Sequence, residues 1–176
     1  MAKDFGLLQV YTGTGKGKTT AALGVALRAV GVGARTVILS FMKDDAGYGE
    51  VTGCKYLPNV TLEQVGRNDF VNFRQPDPLD LKLAQSGWEK ARQYLLAGQT
   101  DLLILDEFNL VLAHHLIDVD AAIKFLQAHK QQGTEIICTG RDAPQELLAI
   151  ADLITEMREV RHYYERGIGI RDGIDH

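Results

Sequence analysis

The stretch that decides the fold is LLQVYTGTGKGKTT, residues 7–20. A short apolar run leads into a glycine-rich loop and a Lys-Thr pair, and apolar residues at helical spacing continue to Val30. This order is typical of a phosphate-binding loop, because the backbone N–H groups of the loop and the N-terminus of the helix both attract anions. Lys18 would meet the phosphates as a point charge, and the hydroxyl of Thr19 would hold Mg²⁺.

The loop differs from the usual P-loop pattern in its spacing. That pattern has a glycine five residues before Gly17, where this chain has Thr12. The first glycine of the loop is Gly13, and Lys16 adds a cation that the minimal motif does not require. We predict that the phosphates of a nucleotide bind at Thr12, Gly13, Thr14, Gly15, Lys16, Gly17, Lys18, Thr19 and Thr20.

A second motif also favours nucleotide binding. Residues 102–105 form an apolar run that ends in Asp106 and Glu107, as in the Walker B strand of P-loop proteins. Either carboxylate would hold a metal, directly or through water; the alternative is an acid that only caps the next segment. Together with the phosphate loop, this motif predicts a nucleoside triphosphate bound with Mg²⁺ or Mn²⁺, but it leaves the reaction open.

In the rest of the chain, short apolar runs alternate with helical patterns, which predicts an α/β fold with a mostly parallel sheet flanked by helices. We expect one domain over residues 1–176 with a P-loop NTPase-like (RecA-like) fold, and Trp88 and Cys138 in its core. Further strands are predicted at residues 36–41, 60–65, 135–139 and 153–160, and further helices at 78–97, 119–132 and from Pro144.

Composition excludes several classes of protein. With 45% hydrophobic and 24% charged residues, the chain is similar to ordinary globular domains and not to disordered ones. The net charge of −4 disfavours general nucleic-acid binding and an anionic membrane surface. No run approaches the ~20 apolar residues of a membrane helix, and no apolar signal core follows Met1. We therefore expect a cytoplasmic protein that binds neither nucleic acid nor membrane.

Missing motifs narrow the reaction without defining it. The chain has no Asn-Lys-x-Asp guanine-recognition motif and no arginine-dense lid of the kind found in small-molecule kinases. Arg141 follows a predicted strand, and strand ends of a parallel sheet border the ligand crevice, so we predict that Arg141 contacts a phosphate. The alternative is a surface arginine that pairs with Asp142 or Glu146. The residues alone thus lead to a P-loop protein of undefined chemistry.

The same residues resemble those of the ATP-dependent corrinoid adenosyltransferases, a P-loop family that acts on cob(I)alamin or cob(I)yrinic acid a,c-diamide. The likeness covers nearly the whole chain and includes the shortened glycine spacing. Ordered matches of this kind are far more specific than a phosphate loop alone. The matching segments are residues 11–22, Phe41-Met42-Lys43 with Tyr48-Gly49-Glu50, residues 105–109, Thr139-Gly140-Arg141 with Ala143-Pro144, and residues 151–158 with His162, Gly167-Ile168 and Gly173-Ile174-Asp175.

The resemblance implies that Co(I) of a corrinoid attacks the 5′-carbon of ATP and that triphosphate leaves. Because cobalt is the nucleophile, the protein needs no nucleophilic side chain; Lys16, Lys18 and Arg141, with a metal at Thr19, would stabilise the charge on the leaving triphosphate. Two rival functions stay open. One is a P-loop ATPase that hydrolyses ATP to ADP and phosphate, and the other is a corrinoid carrier without turnover.

The resemblance also implies a corrinoid site over the strand ends. In relatives an aromatic residue faces the macrocycle and helps to displace its lower axial ligand. Phe70 matches this residue best, and Phe73 is the competitor. Asn109 is a further expected corrinoid contact. Asn72 stands where some relatives have tryptophan, which leaves the handling of the lower ligand open.

Three further expectations follow from the resemblance. Arg28 matches an arginine that contacts the nucleotide, although it lies over ~10 Å along the helix from the loop. We expect a homodimer and a reductase that supplies Co(I). An element other than an N-terminal extension must close the site. His114 and His115 are more typical of a solvated helix end than of cobalt ligands.

Overall fold

The computed structural model of the chain describes residues 4–69 and 71–175. Within these residues, one six-stranded sheet contains β1 (Leu8–Thr12), β2 (Thr36–Phe41), β3 (Val60–Val65), β4 (Leu102–Asp106), β5 (Glu135–Thr139) and β6 (Leu153–Glu156). The order across the sheet is β3-β2-β4-β5-β1-β6, and every pairing of neighbours is parallel. The parallel sheet that the sequence predicts is confirmed.

Helices cover both faces of the sheet. They are α1 (Lys18–Val30), α2 (Gly49–Gly53), α3 (Pro78–Ala97), α4 (Phe108–Ala113), α5 (Val119–His129) and α6 (Gln145–Ile150). Apolar residues of α1 pack on one face, and those of α3 to α6 pack on the other. Strands β2, β4 and β5 are buried along their whole length, which explains their nearly continuous apolar sequences. Among the described helices, none is long and apolar enough to span a bilayer.

The larger core is built around aromatic rings. Trp88 stacks on Phe108 at a centroid distance of 5.3 Å and meets the edge of Phe125 at 5.6 Å. Phe41 packs against Phe108 from the side of β2. Cys138 is fully buried, and burial raises the pKa of its thiol. Both Trp88 and Cys138 therefore belong to the core, as the sequence predicts.

Element ends follow local hydrogen bonds. The Asp77 side chain accepts from Leu79 N and forms a capping box with Asp80, which fixes the start of α3 where the sequence predicts it. Helix α5 was predicted to end at residue 132 but ends at His129. The next residue, Lys130, has an extended backbone, and its ammonium binds Asp152.

Strand β6 is shorter than the predicted segment 153–160 and ends at Glu156. The next residue, Met157, donates its N–H to Thr12 and accepts a hydrogen bond from Gly15 N through its carbonyl. The chain therefore leaves the edge of the sheet at this point and crosses the glycine-rich loop. The helix α4 was not predicted; Glu107 opens it in the left-handed region with φ 59°.

Candidate active site

One cavity of about 1080 Å³ lies along the carboxyl edge of the sheet. The parallel pairing brings the segments after β1, β2, β4 and β5 to this edge. Its lining includes the glycine-rich loop with Lys43, Glu107 and Arg141, and it also includes Phe73, Leu110 and His114. We call these two sets of residues the phosphate end and the aromatic end.

A second cavity of about 680 Å³ lies between α3, α5 and α6. Its wall includes Leu81, Leu116 and Asp118 and none of the residues of the phosphate loop. The cavity at the carboxyl edge, which combines cationic and aromatic groups, is the candidate active site.

Lys18 occupies the centre of the phosphate loop. Its side chain is buried among backbone carbonyls, and its ammonium donates to Gly13 O at 2.8 Å and to Gly15 O at 2.7 Å. Burial lowers the pKa of Lys18, while the nearby Glu107 opposes this shift. The lysine is thus held where phosphate oxygens would meet the loop.

The loop glycines serve a purpose that the sequence did not reveal. A Cβ at Gly13 would lie 2.5 Å from Met157 O, and one at Gly15 would lie 2.8 Å from the same oxygen. Gly13 also has a φ of 98°, and Gly17, which caps α1, has a φ of 114°. Glycines are therefore required here both for the turn and because residues 157 and 158 cross the loop at close range.

Asp106 is the most completely hydrogen-bonded carboxylate of the site. It has no solvent exposure. Its Oδ1 accepts from Thr19 Oγ1 at 2.7 Å and from Thr139 Oγ1 at 2.6 Å, and its Oδ2 accepts from Lys43 Nζ at 2.8 Å. Three donors, from α1, from β5 and from the segment after β2, thus fix Asp106 in place.

Lys43 is a member of the site to which the sequence analysis gave no role. Burial lowers the pKa of its ammonium, but the charge and hydrogen bond of Asp106 outweigh burial, so the net pKa is raised. The signal that pointed to it was available: a lysine closely follows a strand, β2, that is buried along its whole length. In a parallel sheet, such a position lies at the ligand edge.

Glu107 also lines the cavity, but its carboxyl differs from that of Asp106 in its electrostatic environment and in its hydrogen bonds. Burial raises the pKa of its carboxyl, and the charge of Asp106 raises it further, while Lys43 and Lys18 oppose the shift. Within residues 4–69 and 71–175, no hydrogen bond reaches its carboxylate oxygens. Glu107 is thus the acid of the pair that is available to an incoming group.

The donors at this end suit a hard cation. The Thr19 hydroxyl and the two carboxylates offer only oxygen, which Mg²⁺ and Mn²⁺ prefer. No cluster of three or more His, Cys, Asp or Glu side chains that could hold a metal alone is found in the described part of the chain. A divalent ion here would complete its coordination with water and with oxygens of the nucleotide phosphates.

Arg141 lies on the loop after β5, and its exposed side chain lines the phosphate end. Its charge acts on Lys18 and on Glu107. No ion pair with Asp142 or Glu146 is found among the described residues. Arg141 therefore lines the same cavity as the phosphate loop, and its contact with a phosphate stays a prediction.

Four of the predicted binding residues, Asn109, Arg28, Thr12 and Gly13, are not among the residues that line the cavity. Asn109 has no solvent exposure, and its amide donates to Tyr11 O at 3.1 Å and to Gly140 O at 2.8 Å, so it ties β1 to the loop after β5. Arg28 is exposed on α1, away from the cavity. Thr12 accepts a hydrogen bond from Ala143 N through its hydroxyl. The other predicted loop residues from Thr14 to Thr20 line the cavity.

The aromatic end is built by ring stacking. Phe73 stacks on His114 with ring centroids 3.9 Å apart and an angle of 12° between the planes. Both rings are half-buried, whereas His115 is exposed and has a φ of 51°. Phe70, the preferred aromatic of the sequence analysis, lies outside the described residues. Phe73 lies on the cavity wall, and the choice between the two phenylalanines stays open.

The loops after β2 and β3 touch directly. Gly66 follows β3, and a Cβ at this position would lie 2.3 Å from the backbone nitrogen of Lys43. Met42 adopts a left-handed conformation with φ 57° at the same place. The loop that leads to Phe73 therefore begins in contact with the backbone that carries Lys43.

Comparison with known proteins gives consistent matches. A family model described as ATP:corrinoid adenosyltransferase BtuR/CobO/CobP matches residues 4–176. The corrinoid adenosyltransferase of Sinorhizobium sp is 32% identical over 171 residues, which cover 97% of this chain and 80% of that protein. Corrinoid adenosyltransferase CobA of Salmonella typhimurium is 33% identical over 174 residues, which cover 99% and 87%.

A solved structure agrees on the fold. The flagellar accessory protein FlaH from Methanocaldococcus jannaschii superposes with a TM-score of 0.58 at 15% identity, covering 86% of this chain and 70% of that chain. At this identity the likeness concerns the fold alone. It supports the predicted α/β fold with a parallel sheet flanked by helices.

Proposed function

Because this chain belongs to the ATP:corrinoid adenosyltransferase family, and so transfers the adenosyl group of ATP to a corrinoid, we propose that its one edge cavity holds both substrates. The triphosphate of ATP would lie at the phosphate end and the corrinoid at the aromatic end. The observation that carries this proposal is the continuity of the cavity from Lys18 to Phe73. Nothing in the family matches favours a plain ATPase.

The chemistry divides the work between substrate and protein. Co(I) donates an electron pair to the 5′-carbon of ATP, the carbon–oxygen bond breaks, and its electron pair leaves with the triphosphate. A cobalt–carbon bond forms, and cobalt is formally oxidised to Co(III). The protein therefore orients the 5′-carbon towards cobalt and keeps water away from the reduced metal.

We assign the leaving triphosphate to the cations of the phosphate end. Lys18 stands at the centre of the loop, and Lys16 and Arg141 stand at its rim. Negative charge develops on the bridging oxygen as the carbon–oxygen bond breaks. Positive groups that are already fixed near this oxygen stabilise it without reorganisation.

We infer that Thr19 and Glu107 hold the divalent ion, Mg²⁺ or Mn²⁺. Asp106 already accepts three hydrogen bonds, one of them within an ion pair with Lys43, whereas no hydrogen bond reaches the Glu107 carboxylate within residues 4–69 and 71–175. When bound, the ion supplies positive charge to the triphosphate. Asp106 would then orient the Thr19 hydroxyl.

The aromatic end is proposed to receive the corrinoid, with Phe70 or Phe73 against the macrocycle. Phe73 is favoured by its place on the cavity wall, and Phe70 by its match to the family. The buried Asn109 would act on the corrinoid only through the loop after β5. We further propose that residues 1–176 form one adenosyltransferase domain, that the protein is a homodimer, and that a reductase supplies Co(I).

Product analysis tests the proposal directly. The intact chain is incubated with ATP, Mg²⁺ and chemically reduced cobalamin, and the visible spectrum and the phosphate products are recorded. We expect a light-sensitive adenosylcorrinoid spectrum and stoichiometric triphosphate. The Lys18→Ala variant serves as the matched negative control. ADP with orthophosphate and no change at cobalt would instead indicate hydrolysis, and bound substrates without any product would indicate a carrier.

A further inference from the structure

The C-terminal segment that leaves β6 returns to the phosphate loop at its far end. We call residues 157–175 the strap. At its start, Met157 O accepts a hydrogen bond from Gly15 N at 2.6 Å. At its end, Lys16 Nζ donates to Ile174 O at 2.8 Å and forms an ion pair with Asp175 Oδ1 at 2.8 Å. The strap therefore contacts the loop at two adjacent residues, Gly15 and Lys16.

Asp175 is the group on which the strap closes. Besides Lys16, it accepts hydrogen bonds from the hydroxyl of Tyr163 and from Arg171, whose Nε lies 3.1 Å away. The guanidinium of Arg171 stacks over the Tyr163 ring at 4.5 Å. Lys16 and Tyr163 hold the pKa of Asp175 well below its usual range, and its side chain is only 10% exposed. A carboxylate is thus kept ionised beside a cation of the loop.

The single ammonium of Lys16 binds Asp175 in this structure and is also the group proposed to bind a phosphate oxygen. A carboxylate and a phosphate oxygen make the same charge-assisted hydrogen bond with a lysine, so they compete where both can reach it. An ion pair near the surface contributes little free energy, so the polyanion of ATP can displace a single carboxylate. The strap also contributes wall to the cavity, through Tyr164 and Ile168 among others.

We propose that Asp175 competes with the polyphosphate of ATP for Lys16, which makes the strap a displaceable latch over the active site. This inference rests on the proposed role of Lys16 in polyphosphate binding. When the polyphosphate takes Lys16, the end of the strap is released while its start stays bound at Gly15. When triphosphate leaves, Asp175 returns to Lys16 and opposes rebinding of the product.

Binding of inorganic tripolyphosphate to the intact chain tests the latch by isothermal titration calorimetry. Asp175→Asn keeps the shape of the side chain and removes its charge, so we expect tripolyphosphate to bind about three- to fivefold more tightly. Glu165→Gln is the matched control, because it removes the same charge from an exposed position of the strap outside the cavity wall. We expect this control to change the affinity less than about twofold.

The outcomes separate the latch from the role of Lys16. Affinity that is unchanged or weaker in Asp175→Asn overturns the latch and makes Asp175 a support for Lys16. Lys16→Ala should weaken tripolyphosphate binding, and the added Asp175→Asn change should then give no gain. If Lys16→Ala binds tripolyphosphate as the unmodified chain does, the proposed role of Lys16 fails, whatever the strap does.

Trypsin cleavage of the unmodified chain tests the latch without any substitution, so the result does not depend on whether a variant folds. Arg171 lies within the strap and is bound to Asp175. Saturating tripolyphosphate should speed cleavage at Arg171, because release of the end of the strap from Lys16 lets the backbone around Arg171 enter the protease. Cleavage that is unchanged or slowed by tripolyphosphate contradicts the latch.

Discussion

The two ends of the active-site cavity are built by different means. At the phosphate end, buried charges from separate strands and loops neutralise one another, as in the contacts of Asp106 with Lys43 and Thr19. At the aromatic end, Phe73 and His114 meet by stacking, on a loop and at the end of a short helix. We therefore expect the phosphate end to determine whether ATP binds, and the aromatic end to affect how fast the corrinoid reacts.

The largest expected effect is at the centre of the phosphate end. Lys18→Ala should weaken ATP binding by about 100-fold or more, because the ammonium makes charge-assisted hydrogen bonds to phosphate. Calorimetry with ATP measures this, and Lys55→Ala, at an exposed lysine, is the control. If Lys18→Ala retained the ATP affinity of the unmodified chain, the phosphate end would not be the part of the cavity that determines ATP binding.

A second variant pair separates the two acids of the phosphate end. Glu107→Gln should raise the Mg²⁺ concentration needed for half-maximal activity by about tenfold or more, because it removes a ligand. Asp106→Asn should instead lower the thermal stability, because it weakens three hydrogen bonds and leaves Lys43 without its charge partner. The opposite assignment holds if Asp106→Asn changes the Mg²⁺ requirement and Glu107→Gln does not.

At the aromatic end the expected effect is smaller and of another kind. Phe73→Ala and Phe70→Ala should leave ATP affinity unchanged, and the one that faces the corrinoid should slow adenosylation from Co(II) by about 3- to 10-fold. Rates with chemically prepared Co(I) serve as the control for folding. Loss of ATP affinity in either variant would show that the ends are not separate, and unchanged rates in both would remove the aromatic end from the reaction.

The smallest expected effect lies in the support beneath the cavity. Gly87 of α3 has its Cα against β2 and β3, and a Cβ would lie 2.7 Å from the Phe41 ring and 2.8 Å from Val65. Gly87→Ala should lower the melting temperature by about 2–6 °C, because the clash costs more than the gain in helix propensity. Gly24→Ala on α1 meets nothing within 4 Å and should leave the melting temperature unchanged or slightly raised. Equal shifts in both would contradict this account.

Local patterns in the sequence predicted the parts of the site that local rules control. Lys18 and Thr19 follow a glycine-rich loop, and Asp106 ends an apolar run, so their chemistry and approximate place are fixed by neighbours in the chain. The bounds of β2, β3 and β5 agree with the prediction for the same reason. Here, propensity and tertiary environment favour the same structure.

The contacts that were missed join residues far apart in the chain. Lys43 is 63 residues from Asp106, and Lys16 is 158 residues from Ile174. No periodicity or motif reports which loop will cross another, because this depends on strand order. The early end of β6 has the same origin, since the N–H of Met157 still binds Thr12 of β1 but its carbonyl accepts from Gly15 of the glycine-rich loop.

The contact at Gly66 sets a rule for redesign of substrate preference. A randomised library that aims to accept altered macrocycles would naturally diversify residues 66–76. Position 66 should stay glycine in every member, because any larger residue would press on the backbone of Lys43, within 2.3 Å of the new Cβ. Diversity should start after this position. Otherwise a screen for new corrinoid substrates would also select against clones in which the backbone of the nucleotide site is distorted.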